Sequence, residues 1–155
     1  MMPVAHRRLV LALLPLLLAG CVGGGQVRNV FPPRASLGQL TVQPDGHWTL
    51  QLRMQNYSNV SATFTRIDAK VEIAAQPAGS VSAAPNLRIG PESADVVDTT
   101  LAPSPAARAA VAALRSGSIA YKLDGRIVTS DPKGDYKYHF EGQLSPVPGL
   151  PGVLR

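Results

Sequence analysis

The chain has 155 residues and one cysteine, enough for one domain of ordinary size and too few thiols for an internal disulfide. Its formal net charge is +5, with 15 basic residues against 10 acidic ones. Beyond Arg7 and Arg8 no two basic residues are adjacent, and this scatter argues against a nucleic-acid partner, whose footprint would cluster basic residues among aromatics.

The first twenty residues, MMPVAHRRLVLALLPLLLAG, read as a signal segment. Arg7 and Arg8 form a positive start, Leu9 to Leu18 is apolar apart from Pro15, and Ala19 and Gly20 are the small residues a signal peptidase accepts. The apolar run is too short to cross a bilayer core about 30 Å thick as a helix. Leu18-Ala19-Gly20-Cys21 resembles the lipobox of bacterial lipoproteins. That resemblance implies cleavage between Gly20 and Cys21, a diacylglyceryl group on the Cys21 sulfur and acylation, palmitate included, of the new amino terminus. Cys21 is then a lipidation site, and the membrane is the first expected partner. Val22 stands where an aspartate would signal inner-membrane retention. In a Gram-negative cell the expected location is therefore the periplasmic face of the outer membrane. Removing Arg7 and Arg8 leaves 13 basic residues against 10 acidic ones.

Residues 21–33 read as the lipidated cysteine and a flexible tether, VGGGQVRNVFPP after Cys21. About ten flexible residues have an r.m.s. reach of roughly 15–20 Å, so the domain would stand close to the bilayer yet clear of it. Alternation begins after Arg34. Leu40 and Val42 share one face, and Gln43 to Gly46 is a turn. In HWTLQLRMQN, Trp48, Leu50, Leu52 and Met54 point one way and Thr49, Gln51, Arg53 and Gln55 the other, as in a half-buried strand. Asn56 to Ser61 is a polar turn. Ile67, Ala69, Val71 and Ile73 face inward in the next strand, and QPAGS turns the chain. Ala84 to Pro91 holds a short edge strand, and Ser93 to Leu101 another.

Ser104 to Gly117 predicts a helix, with Ser104 as N-cap, Pro105 at the first position and Ala107, Ala110, Val111 and Leu114 along one stripe. Two strands follow. The first places Ile119, Tyr121 and Leu123 inward; the second places Tyr136, Tyr138 and Phe140 on one face, joined across the turn Ser130 to Asp135. Residues 145–155 hold three prolines and read as an extended, irregular tail. The expected fold is all-β: a seven-stranded antiparallel sandwich of immunoglobulin or fibronectin-III type over residues 34–144, with one short helix between the fifth and sixth strands.

The order of these elements resembles the group 2 late embryogenesis abundant fold (LEA type 2, the WHy domain) over Pro33 to Leu144. The carriers are WTLQLRMQNYSN, TRIDAKVEI, the capped helix and GSIAYKLDG. Where the family has Asn-Pro-Asn, this chain has Asn56-Tyr57-Ser58-Asn59. The resemblance implies a fibronectin-III-like sandwich, a link to dehydration and stress protection, suspected lipid binding among relatives, and no catalytic residues.

The residues themselves offer no catalytic constellation. His47 and His139 each sit at an outward strand position without a second ligand at metal spacing. Asp95 and Asp98 are three apart, and Asp131 and Asp135 flank Pro132 and Gly134 as in a turn, short of the oxygen set that calcium needs. No Gly-x-Ser-x-Gly or phosphate loop occurs. The expectation is a non-enzyme without metal or cofactor beyond the lipid on Cys21. Its role would be to shield envelope components under water stress. The rival role is a binding module. An envelope protein would dock on the edge strand near Leu87 or the proline-rich tail, or a lipid would enter an inter-sheet slot lined by some of Trp48, Tyr57, Phe64, Tyr121, Tyr136, Tyr138 and Phe140.

Overall fold

A computed structural model describes residue 25 and residues 27–155. Among these residues the chain forms nine strands and one helix, in the order β1 (Arg34–Val42), β2 (Trp48–Gln55), β3 (Ala62–Ile73), β4 (Gln76–Ala83), β5 (Leu87–Ile89), β6 (Ala94–Leu101), α1 (Pro105–Ala113), β7 (Ile119–Asp131), β8 (Lys133–Leu144) and β9 (Val153–Leu154). One sheet runs β6-β2-β1-β9. The other runs β4-β3-β7-β8, with β5 also on β3. Every pairing is antiparallel.

Seven of these strands answer to the alternation in the sequence; two do not, and the helix consequently falls after the sixth strand. The first extra strand is β4, in a stretch read as a turn. Its inward residues are Ala78 and Val81, three apart, because a bulge opposite Val71 and Glu72 breaks the two-residue rhythm. The chain reverses two residues earlier than expected, at Ala74 and Ala75, both with positive φ. Alanine has no special fitness for that conformation, so no turn signal marks the site. The second is β9, in the tail expected to be irregular. Thr41 and Leu40 take Val153 and Leu154 as strand partners, which closes the tail onto β1.

The two inner faces meet in a core of aliphatic and aromatic side chains. Leu40, Trp48, Leu50, Leu52 and Met54 from one sheet oppose Phe64, Ile67, Ile73, Leu123 and Ile127 from the other, all fully buried. At about 25 cal/mol per Å² of apolar surface removed from water, this layer is the main stabilising term in a chain without disulfides. Between the sheets the Tyr121 hydroxyl on β7 accepts from the Leu37 N–H on β1 at 3.1 Å and donates to the Leu37 carbonyl at 3.4 Å. Inward glycines on β7 and β8 make room for tyrosine rings, since Gly125 faces Tyr138 and Gly142 faces Tyr121 across the ladder. The aromatics expected to point inward do so in part. Trp48, Phe64, Tyr121 and Tyr138 are buried and pack in the core, and Phe140 packs against it from its margin; Tyr57 lies on the surface.

The helix starts as its cap predicts. Ser104 Oγ accepts from the Ala107 N–H and donates to the Pro77 carbonyl, which fastens α1 to the start of β4. The helix stops at Ala113, a turn before Gly117, and Leu114 adopts an extended conformation. Ala107 is buried, and Ala110, Val111 and Leu114 pack against the core from its margin.

Candidate functional site

The two ends of the sandwich differ in character. One end carries the β1–β2 turn, the β3–β4 turn, α1 and the tail. The other carries the start of β1, the β2–β3 loop, the β5–β6 turn and the β7–β8 turn. Cys21, and with it Leu18, Ala19 and Gly20, lies outside the described residues. The first continuous residues, Val27 to Pro33, lead into β1 at the second end.

The sequence predicts a flexible tether as far as Pro33, and here the structure differs. From Val27 onward the segment is hydrogen-bonded along the β2–β3 loop. Asn59 Nδ2 donates to the Val27 carbonyl at 2.7 Å, the Asn29 N–H donates to Asn59 Oδ1 at 2.8 Å, and the Phe31 N–H donates to Ser58 Oγ at 3.0 Å. The Asn59 N–H returns a bond to the Asn29 carbonyl. Arg28 pairs with Asp131 at 3.4 Å, and Arg88 reaches the same carboxylate at 3.5 Å.

Asn56 holds the loop that receives this segment. Its side chain is buried and fully used. Nδ2 donates to the Val60 and Gly90 carbonyls, both at 2.8 Å, and more weakly to Ile89, while Oδ1 accepts from the Ser58 N–H. Backbone bonds from Asn56 to Ser93 and from Glu92 to Ser58 complete the joint between the β2–β3 loop and the β5–β6 turn. The sequence reads Asn56 to Ser61 only as a polar turn. That Asn56 and Ser58 are interior residues has no local signal, because several of their partners, Ile89 to Ser93 and Phe31, are contributed by segments about thirty residues away.

The other residues considered for chemistry are placed as follows. Asp131 serves the two arginines just named, and Asp135 forms a forked pair with Arg126, so the two carboxylates do not converge. His47 sits at the β1–β2 turn beside Asp45, where the His47 backbone N–H and then the nearby imidazole hold the Asp45 carboxyl below its ordinary range. His139 is outward on β8, as expected, but it has neighbours that the sequence did not disclose. Its Nδ1 lies 2.6 Å from Asp124 on β7 and its Nε2 3.3 Å from Glu141. Among the described residues no group of three or more His, Cys, Asp or Glu side chains is arranged to hold a metal ion.

The hydrogen bond to Asp124, followed by the charges of Asp124 and Glu141, raises the His139 pKa above 6.5. A raised folded-state pKa means that this histidine adds stability at pH values below about 6.5, and that the contribution is lost as pH rises through the folded value. The imidazole proton shifts in an NMR titration are expected to report a midpoint above 6.5, and Asp124→Asn is expected to lower it.

At the far end, α1 and the tail bound a groove of about 670 Å³. Val111, Leu114, Pro146, Pro148, Leu150 and Pro151 supply most of its apolar wall.

No protein-family model matches the chain. No curated protein matches it either. Among solved structures it is similar to the solution structure of a late embryogenesis abundant (LEA) protein, with 14% identity, a TM-score of 0.47, and coverage of 78% of this chain and 75% of the other. It is similar at 12% identity and a TM-score of 0.47 to an Arabidopsis thaliana protein, over 77% of this chain and 79% of that one. A protein from Archaeoglobus fulgidus gives 12% identity and a TM-score of 0.41, over 77% and 98% of the two chains.

Proposed function

We propose that this chain is a non-enzymatic lipoprotein of the bacterial cell envelope. It is anchored through acyl chains on Cys21 to the periplasmic face of the outer membrane, and it carries a β-sandwich of LEA type 2 character that shields envelope components as water is withdrawn. The observation that carries the anchoring is the sequence Leu18-Ala19-Gly20-Cys21 behind a short apolar run, with the sandwich beginning a dozen residues later. Two or more acyl chains hold a protein on a membrane where one is marginal. The shielding role draws on the family resemblance of the strand order, and on the polar outer faces of the sheets, where the β3-β7-β8 face carries paired charges such as Arg66–Asp68 and Lys122–Glu141 and the β1-β2 face carries glutamines and threonines. Such a surface stays hydrated and repels close association of neighbours.

A second reading has one observation in its favour. The apolar groove between α1 and the tail is a place for an extended envelope segment or a lipid, in a module that binds instead of shielding.

Two measurements on a Gram-negative host test the first reading. The mass of the purified chain is expected to correspond to residues 21–155 with acyl groups on Cys21, and Cys21→Ala is expected to leave the precursor uncut. A strain lacking the protein is expected to survive drying less well than its parent. An unmodified Cys21 removes the anchor from the proposal, and equal survival of the two strains removes the shielding role.

A further inference from the structure

Among the described residues six large apolar side chains are exposed, and four of them are Val27, Val30, Phe31 and Tyr57. These four occupy two touching segments at one end of the sandwich. The Phe31 N–H is bonded to Ser58, the residue after Tyr57, and Asn59 is bonded to Val27 and Asn29. A cluster of this kind on an otherwise charged protein marks a contact surface.

We propose that this end of the sandwich rests on the lipid bilayer, with Val27, Val30, Phe31 and Tyr57 in the headgroup layer. The inference builds on the Cys21 anchor proposed above. Val27, the first residue tied to the domain, is six residue steps beyond Cys21. Even fully stretched they reach about 20 Å. Strands of eight to thirteen residues make the sandwich roughly 30–40 Å long, so the anchor reaches this end and not the far one. A tether free to Pro33 would let the domain turn any face to the membrane; one pinned from Val27 does not.

The chemistry of the surface suits a membrane interface. Phe and Tyr side chains with aliphatic neighbours settle at headgroup level, where an apolar body and a polar tip are both accommodated. Arg28, Arg34, Arg88 and Lys133 lie around the patch, against Asp131, Glu92 and Asp95 among the acidic residues at this end. Arg28 and Arg88 share the single Asp131 carboxylate, two guanidinium groups on one acid. Basic side chains at this height are attracted to anionic lipid.

The test uses the full chain, acylated and purified from membranes. It is placed in vesicles of phosphatidylcholine and phosphatidylglycerol whose acyl chains do or do not carry bromine, a quencher of tryptophan emission. Trp48 is sealed in the core, and the parent chain supplies its baseline. Phe31→Trp and Tyr57→Trp add reporters at the proposed contact; Leu150→Trp adds one in the exposed tail at the far end. The added emission at positions 31 and 57 is expected to be largely lost in brominated vesicles, and that at position 150 to be retained. Equal quenching at both ends, or none at 31 and 57 in a chain whose mass includes the acyl groups, overturns the contact and leaves the anchor standing. A mass without acyl groups overturns the anchor and the contact together. Both reporter sites are exposed, so unchanged melting is the expected control.

Discussion

Replacing Gly125 by alanine is expected to cost about 3 kcal/mol or more, enough to lower the thermal midpoint well below that of the parent chain in a calorimetric scan. Gly125 is an inward position on β7, paired with Ala69 on β3 and Tyr138 on β8. A methyl group there would fall on the Asp68 carbonyl oxygen and come within 2.9 Å of both the Ala69 Cα and the Tyr138 ring. A ring edge can swing; a neighbouring strand's backbone can yield only if β3 separates from β7. Gly142 is the control. The atoms nearest to an alanine methyl there all belong to the Tyr121 side chain, at 2.7 Å. Its cost should therefore be smaller, in the usual range of about 1–3 kcal/mol for an overfilled core. It should also fall on the Tyr121–Leu37 bond between the sheets. If Gly125→Ala melts with the parent, the close approach of β3 and β7 does not exist in solution. Truncating Tyr138 beside Gly125→Ala should restore little, because the ring is not the main obstacle.

The contrast between these glycines shows what a sequence can and cannot disclose about such a fold. The faces of β2, β7 and β8 are legible because their alternation is unbroken, and each predicted inward residue before Gly125 on β7 is buried. On β3 the buried set Ala62 and Phe64 is out of phase with Ile67 onward. The register shifts between Phe64 and Arg66 that cause this depend on β7, which the local pattern does not contain. β4 has no signature in the sequence for a related reason. An edge strand that contributes Ala78 and Val81 needs no apolar rhythm once β3 supplies the hydrogen bonds. The same division runs through the functional reading. The proposal for Cys21 rests on a local signal, four consecutive residues. The pinning of Val27 to Phe31 has no such signal, because its partners Ser58 and Asn59 lie about thirty residues on. Likewise His139 meets Asp124 only through the β7–β8 register. Contacts that depend on register are where function and sequence pattern part company in an antiparallel sandwich.

Asn56→Asp tests the joint between the β2–β3 loop and the β5–β6 turn, which holds the end of the sandwich proposed to meet the bilayer. The substitution keeps the shape of the side chain and exchanges its donor for an acceptor. In the parent the Asn56 amide gives its protons to the Val60 and Gly90 carbonyls. A carboxylate would present a charged oxygen to those carbonyls instead, in a position that is almost wholly buried. An uncompensated buried charge costs about 3–5 kcal/mol, a large fraction of the stability of a domain this size. Urea unfolding at neutral pH is expected to show that loss as a lower midpoint with an unchanged slope. Asn56→Ala should cost less, since it leaves groups unpaired without adding a charge against them. The consequence extends beyond stability. Asn56 fixes Ser58, and Ser58 and Asn59 fix Phe31, Asn29 and Val27. Loosening the joint therefore frees the segment nearest Cys21, and amide exchange at Asn29 and Phe31 should rise in Asn56→Ala under conditions where the β7 and β8 ladder stays protected. Exchange that rises uniformly through the sandwich would mean that Asn56 supports the whole fold and has no separate hold on the tether. A local rise would make the asparagine the residue that holds Val27 to Phe31 against the sandwich.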